Sequence, residues 1–141
     1  MNDKIYLIIL IILTISCQKK EIVRNSKEDI ENAEALTKEF YEDLSKQDAL
    51  KIYSYLDKTI SKSEFYDLLK INSLASGLLN KVDINKIETS NEKLNDENMN
   101  IEYKIEVTAY YDKGKNIETI GFIKNKSDKF FLFSYHFKST N

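Results

Sequence analysis

"YKIEVTAYYDKGKNIETIGFIKNKSDKFFLFSYHF", residues 103–137, carries the clearest structural pattern in this 141-residue chain. Its first third, read from Ile101, alternates between apolar residues and charged or polar ones. The apolar positions are Ile101, Tyr103, Ile105, Val107 and Ala109. Successive side chains of a strand point to opposite faces, so this period of two predicts a half-buried β-strand.

Turn signals divide the rest of this stretch into further strands. The segments DKGK (112–115) and NKSDK (125–129) bound NIETIGFIKN (116–125), and KFFLFSYHFK (129–138) follows. Upstream, KVDINKIETSNEKL (81–94) is compatible with one more strand. Short turns join antiparallel neighbours, so the sequence predicts an antiparallel meander of about four strands.

Before residue 79 the hydrophobic period changes to about 3.6, which predicts three helices. Ser26, Asp48 and Ser61 are the expected N-caps, and Gly77 the expected end of the third helix. The expected inner stripes are Ile30, Ala33, Leu36, Phe40 and Leu44 in the first helix, and Phe65, Leu68, Leu69, Asn72 and Ala75 in the third. Residues 26–141 are therefore predicted to form one α+β domain.

This order of elements resembles the nuclear transport factor 2-like superfamily, also described as a cystatin-like cone. The likeness rests on AEALTKEFYEDLSKQDALKIYSYLD (33–57), SEFYDLL (63–69) and the strand pattern of residues 103–137, and it covers residues 28–138. The resemblance implies a curved antiparallel sheet wrapped around N-terminal helices. It leaves the function open, because the superfamily includes isomerases, dehydratases and non-catalytic binders, and a fold does not choose among them.

Residues 1–16 are predicted to be a secretory signal peptide. IYLIILIILTI (5–15) has the length of a signal h-region, whereas a membrane-spanning helix needs about 20 apolar residues. Ser16 and Cys17 resemble a bacterial lipobox, which implies cleavage between them and acylation of Cys17. Thr14 stands where the lipobox usually has leucine. The alternative is an ordinary signal peptide, or an uncleaved anchor, with an incidental cysteine.

The lipobox resemblance implies a location in the bacterial cell envelope, outside the cytoplasm. Acylated Cys17 would be held in the lipid bilayer, since each buried CH₂ contributes about 0.8 kcal/mol, and residues 17–25 would form a short polar tether. Gln18 is not an aspartate-type retention signal, which favours the outer membrane over the inner. Lys19 and Lys20 could contact anionic head groups, or could be only the polar flank of the anchor.

Composition excludes several classes of function. The chain has 21 Lys and Arg against 23 Asp and Glu, so there is no basic excess that would indicate nucleic-acid binding. One cysteine and one histidine, His136, allow no intrachain disulfide, cysteine-based zinc site or paired-histidine motif. The polar segment TSNEKLNDENMN (89–100) offers oxygen ligands for Ca²⁺ but lacks EF-hand spacing, so a solvated loop is expected. No metal or cofactor is predicted.

His136 is the first candidate for catalysis, because its ordinary pKa lies near neutrality. If the last strand alternates strictly, one face carries Phe131, Phe133, Tyr135 and Phe137, and the other carries Leu132, Ser134, His136 and Lys138. A single strand histidine beside serine and lysine is more commonly a surface residue. No catalytic residue is therefore assigned.

Tyrosines are the second candidate. Those that could reach the mouth of a cone are Tyr41, Tyr53, Tyr55, Tyr103, Tyr111 and Tyr135. A hydroxyl beside an acid such as Asp57 could polarise a carbonyl, but no carboxylate base can be assigned, because the strand acids Glu102, Glu106 and Glu118 are expected to point outward. The simpler expectation is that these rings fill the core. The residues kept as a possible pocket are Tyr53, Asp57, Tyr103, Tyr135 and His136.

The sequence favours a non-catalytic, membrane-anchored domain that binds an envelope protein or a small apolar ligand through its concave sheet. One alternative is an isomerase or dehydratase, and another is an inhibitor or immunity-type lipoprotein acting through its exposed sheet. An enzyme needs a closed apolar pocket with a carboxylate and a hydroxyl or imidazole within about 3–4 Å of a common point. A binder needs only an exposed apolar concavity.

Overall fold

The computed structural model describes residues 19–126 and 129–140, which form an α+β domain. Its elements in chain order are β1 (Lys20–Arg24), α1 (Lys27–Ser45), α2 (Ala49–Ser54), α3 (Lys62–Ser76), β2 (Leu79–Leu94), β3 (Glu97–Tyr111), β4 (Gly114–Lys124) and β5 (Phe131–Ser139). No helix in these residues is both long enough and apolar enough to cross a membrane. The predicted signal peptide and lipobox, with Ser16 and Cys17, lie outside the described residues.

The strands form one antiparallel sheet in the order β1-β2-β3-β4-β5. The described sheet has five strands, not the four predicted, and the added one is β1. This strand pairs Lys20 with Leu94 and Arg24 with Ser90 at the edge of the sheet. The sequence predicts a polar tether at these residues, since an edge strand is held by backbone hydrogen bonds and need not show a row of buried apolar side chains.

The predicted alternation of β3 is confirmed. Ile105, Val107 and Ala109 have no exposed surface, and their neighbours Lys104 and Glu106 are exposed. β3 is the middle strand, so its inner face meets the helices while its outer face meets solvent. The core built on this face includes Phe40, Ile52, Phe65, Tyr103, Ile120, Phe122 and Leu132.

The polar segment 89–100 is a β-hairpin, and the prediction of a solvated loop was wrong. β2 and β3 continue through it to a turn at Asn95 and Asp96, whose φ angles are 51° and 66°. Tight hairpin turns require positive φ, which Asn and Asp adopt more readily than most residues. The segment lacks apolar alternation, so its strand character could not be read from hydrophobicity.

The three predicted helix starts are confirmed. The side chains of Ser26, Asp48 and Ser61 each accept a hydrogen bond from the backbone N–H three residues ahead, at 3.1, 3.1 and 3.4 Å. The inner stripe of α3 differs at its end: Ala75 is exposed and Ser76 is buried. Helix α3 is turned this way because Asn116 of β4 donates to the Ser76 hydroxyl at 3.0 Å.

A bulge in β5 overturns the strict alternation expected for the last strand. Gly121 pairs with Ser134, but the next β4 residue, Phe122, pairs with Leu132, so Phe133 is an extra residue. Leu132 is therefore fully buried, whereas Phe133 is 43% exposed. Beyond an inserted residue, each side chain of the strand points to the face of the sheet opposite to the one that strict alternation predicts. Gly121 permits the bulge, because a Cβ there would lie 2.8 Å from the Phe133 ring.

Candidate functional site

A buried carboxylate on β4 occupies the centre of the domain. Glu118 has no exposed surface, although the sequence analysis expected it to point outward with Glu102 and Glu106. That expectation was wrong for Glu118 and is confirmed for the other two, which are exposed. The reason is register: Glu118 pairs with Val107 of β3, and residues directly opposite each other in a sheet share a face.

Three tyrosine hydroxyls donate hydrogen bonds to this carboxylate. Tyr41 and Tyr135 donate to Oε2 at 2.7 and 2.8 Å, and Tyr111 donates to Oε1 at 2.5 Å. The side-chain amide of Asn72 also donates to Oε1, at 3.3 Å. A carboxylate offers about four acceptor positions, so those of Glu118 are filled. Charge-assisted bonds of this kind offset the cost of burying the charge.

A second layer of amide and hydroxyl groups surrounds Asn72. Its Oδ1 accepts from Asn116 Nδ2 at 2.7 Å and from Ser76 Oγ at 3.1 Å. The Asn116 amide also donates to Ser76 Oγ, while Asn116 Oδ1 has no hydrogen-bond partner in the described part of the chain. The whole set, referred to below as the Glu118 cluster, comprises Tyr41, Asn72, Ser76, Tyr111, Asn116, Glu118 and Tyr135.

The cluster keeps its tyrosines protonated. Burial, and secondly the charge of Glu118, raise the pKa values of Tyr41, Tyr111 and Tyr135 well above the ordinary value. Each of these hydroxyls therefore remains a donor to the carboxylate at neutral pH. The three tyrosines come from α1, β3 and β5, so the carboxylate connects a helix to the strands on both sides of β4.

An apolar cavity of about 410 Å³ lies beside the cluster, between α2, α3 and the beginning of β2. This helical cavity is lined by the apolar residues Leu44, Ile52, Leu69, Leu74, Leu78 and Leu79, together with Tyr53, Tyr66 and Tyr111. Leu74, Leu78 and Tyr66 at its edge are 68%, 55% and 50% exposed. Two members of the Glu118 cluster, Asn72 and Tyr111, also line it. Contiguous exposed apolar surface around a concavity is typical of a binding site.

The five candidate pocket residues do not meet at one point, although Tyr103 and His136 both line one open groove. Tyr135 belongs to the Glu118 cluster, and Tyr53 lines the helical cavity. Asp57 accepts hydrogen bonds from the side chain and backbone of Thr59, which lower the pKa of its carboxyl group. His136 is exposed on the outer face of the sheet, opposite Thr119 of β4.

The remaining tyrosine candidates have structural partners. Tyr103 is buried and stacks on Phe130 with ring centroids 4.5 Å apart, and burial with the nearby Asp29 carboxylate raises its pKa to about 12. The Tyr55 hydroxyl donates to Asp43 at 3.0 Å. Among the described residues no group of three or more His, Cys, Asp and Glu side chains could hold a metal ion.

Replacing Glu118 with glutamine should destabilise the domain strongly. The amide nitrogen of the new side chain would face donors and leave about two buried donors unpaired, so we expect Glu118→Gln to lower the free energy of unfolding by about 2–4 kcal/mol. Urea denaturation measures the change. Glu102→Gln, on the exposed outer face, is the control and should change it by less than about 0.5 kcal/mol. Equal stability of the two variants would contradict the role assigned to the cluster.

Stability should fall at alkaline pH. Below about pH 10 the cluster tyrosines are protonated in both folded and unfolded chains, so their contribution is fully present. Above about pH 10 the tyrosine hydroxyls of the unfolded chain ionise first, because the pKa values of the same tyrosines are raised in the folded chain. Each tyrosine should then remove up to about 1.4 kcal/mol per pH unit from the free energy of unfolding, until the folded pKa is reached.

Urea denaturation at a series of pH values, with tyrosinate absorbance recorded alongside, measures this decline. Tyr41→Phe removes one of the three hydroxyls and should make the decline above about pH 10 shallower. Ionisation of every tyrosine near about pH 10 in a chain that stays folded would refute the assignment of buried, carboxylate-bound hydroxyls.

Comparison with known proteins leaves the function to be inferred from this geometry. No family model, curated protein or solved structure matches the chain. Fold and function are separable in any case, since one architecture can carry many activities. The Glu118 cluster and the helical cavity are therefore the features from which a function has to be argued.

Proposed function

We propose that this protein is a lipid-anchored, non-catalytic binding protein of the bacterial cell envelope, and that the helical cavity holds a small apolar ligand. The observation that carries the proposal is the cavity itself, whose volume of about 410 Å³ falls within the range of small-molecule pockets. Its apolar walls and exposed apolar edge would release ordered water when an apolar molecule enters.

The cone shape of the nuclear transport factor 2-like superfamily is part of this proposal. Three register irregularities between β2 and β3 and one between β4 and β5 support it, because bulges bend the strands that contain them. Helix α1 packs against β2 and β3, the arrangement expected for a helix held inside a curved sheet. The helical cavity would then lie at the open end of the cone.

Binding is proposed in preference to catalysis because of the state of Glu118. A general base needs a lone pair within about 2.6–3.2 Å of the proton that it removes. The acceptor positions of Glu118 are filled by three tyrosines and Asn72, so a substrate would first have to displace one of these partners. His136 lies on the outer face of the sheet and Asp57 is bound by Thr59, so neither supplies a second acid or base beside the cavity.

The proposed anchor and the cavity would lie at opposite ends of the domain. Lys19, two residues after Cys17, accepts a backbone hydrogen bond from Asn95 in the β2–β3 turn. The cavity adjoins Leu79, at the other end of the 16-residue β2, and α1 ends beside it after 19 residues. At about 1.5 Å per residue α1 alone spans about 28 Å. An acylated Cys17 would thus leave the cavity open to the aqueous phase.

Filling the helical cavity should weaken binding. Ala49 is exposed and lines the cavity, so Ala49→Trp should occupy its entrance with an indole ring. We expect the variant to bind the neutral fluorescent probe N-phenyl-1-naphthylamine at least about tenfold more weakly than the wild type does. Ala75→Trp, on an exposed position of α3 outside the cavity lining, is the matched control. Equal affinity in both variants would overturn the assignment of the cavity as the binding site.

Cys17→Ala should remove the anchor. Without the thiol, no diacylglyceryl group can be attached, so incorporation of labelled fatty acid should be lost and the protein should leave the membrane fraction. Thr14→Leu, which brings the lipobox closer to the usual pattern, is the control and should keep both properties. Fatty-acid labelling that persists in Cys17→Ala would rule out this cysteine as the lipid attachment site.

A further inference from the structure

Every donor group of the Glu118 cluster is engaged in a hydrogen bond within the cluster. Each hydroxyl carries one donor proton and each amide carries two. The tyrosine hydroxyl protons are directed to the carboxylate, and the Ser76 proton to Asn72 Oδ1. Both amide groups also donate within the cluster, Asn116 to Asn72 and Ser76, and Asn72 to Glu118 and the neighbouring hydroxyls. Within the described part of the chain, no donor proton of the cluster remains for a ligand.

Acceptor capacity, in contrast, is left over. Asn116 Oδ1 is buried and has no partner in the described part of the chain. The Tyr111 oxygen accepts from Asn72 at 3.0 Å, and a phenol oxygen can accept further bonds. Behind both lies the negative charge of Glu118. The cluster is therefore rich in acceptors and electrically negative.

The helical cavity gives a ligand access to this cluster at two residues. Asn72 and Tyr111 line the cavity and are at most 9% exposed, so they lie at its inner side. The other side-chain donors in the lining are those of Ser45, Gln47, Tyr66, Lys70 and Ser73, which are exposed, and of Tyr53, which is half-buried. The ammonium group of Lys70 is accordingly screened by solvent, whereas the charge of Glu118 acts through protein of low dielectric constant.

We infer that the helical cavity selects small amphiphiles whose head group donates hydrogen bonds, an alcohol or a protonated amine, and rejects carboxylates. This inference rests on the proposed function of the cavity as an apolar-ligand site. A donating head satisfies the spare acceptor position of the Tyr111 oxygen, which lines the cavity, while its alkyl chain lies against the leucine side chains of the walls. A carboxylate head finds no free donor proton on Asn72 or Tyr111, whose protons are directed within the cluster, and is repelled by Glu118.

Competition by ligands of equal chain length tests the selectivity. The full-length protein is loaded with N-phenyl-1-naphthylamine and titrated with octanol, octylammonium and octanoate. We expect octanol and octylammonium to displace the probe and octanoate to be at least about tenfold weaker. A comparison of the first two shows whether the positive charge adds to the donated hydrogen bond.

Variants identify the residue that is responsible. Tyr111→Phe keeps the ring but removes the hydroxyl, and should reduce the preference for octanol over octanoate. Glu118→Gln removes the charge and should strengthen octanoate binding in any fraction that remains folded. Lys138→Gln, at an exposed position of β5 outside the cavity lining, is the control and should leave the order of the three ligands unchanged.

The outcomes separate this inference from the proposal on which it rests. Octanoate that binds as tightly as octanol, or a selectivity unchanged in Tyr111→Phe, overturns the donor-head inference while the cavity remains a binding site. If neither the probe nor any of the three ligands binds, the proposed function itself fails, and the inference fails with it.

Discussion

The carboxylate of Glu118 is buried, and its need for hydrogen-bond donors holds the helices and strands in their positions. Removing an ion from water costs several kcal/mol, which only well-placed hydrogen bonds can offset. Glu118 obtains those bonds from Tyr41 on α1, Asn72 on α3, Tyr111 on β3 and Tyr135 on β5. A helix that shifted against the sheet would leave the charge unpaired, so the cluster fixes the position of the helices more strictly than apolar packing alone would.

The same bonds connect stability with the proposed ligand recognition. Asn72 and Tyr111 belong to the cluster and also line the helical cavity, so the inner side of the cavity is held rigid before any ligand arrives. A preformed site loses little conformational entropy on binding. It would also restrict a ligand, because a head group that broke a hydrogen bond to Glu118 would have to replace it. The arrangement suits a binding site better than a catalytic one, in which the carboxylate would need a free lone pair.

Sequence reasoning succeeded where one local pattern had one interpretation. The alternation of β3 and the caps at Ser26, Asp48 and Ser61 were read correctly because each depends on residues only two or three positions apart. It failed in β4, where both faces carry apolar residues: Ile117 and Ile123 share one, and Ile120 and Phe122 share the other with Glu118. The bulge in β5 could not be predicted from local pattern either, because it depends on how Gly121 of β4 pairs with the neighbouring strand.

Local patterns in the sequence were enough to establish the α+β class, three helices, the antiparallel order of the later strands and the inner face of β3. They also support the prediction of an acylated Cys17, which is a local motif. The inward position of Glu118 is a tertiary result, because its face is set by pairing with Val107. Likewise, only folding brings together four partners that lie between positions 41 and 135 of the chain. Hydrophobic periodicity reports burial along one element, whereas a polar cluster is a relation among several elements.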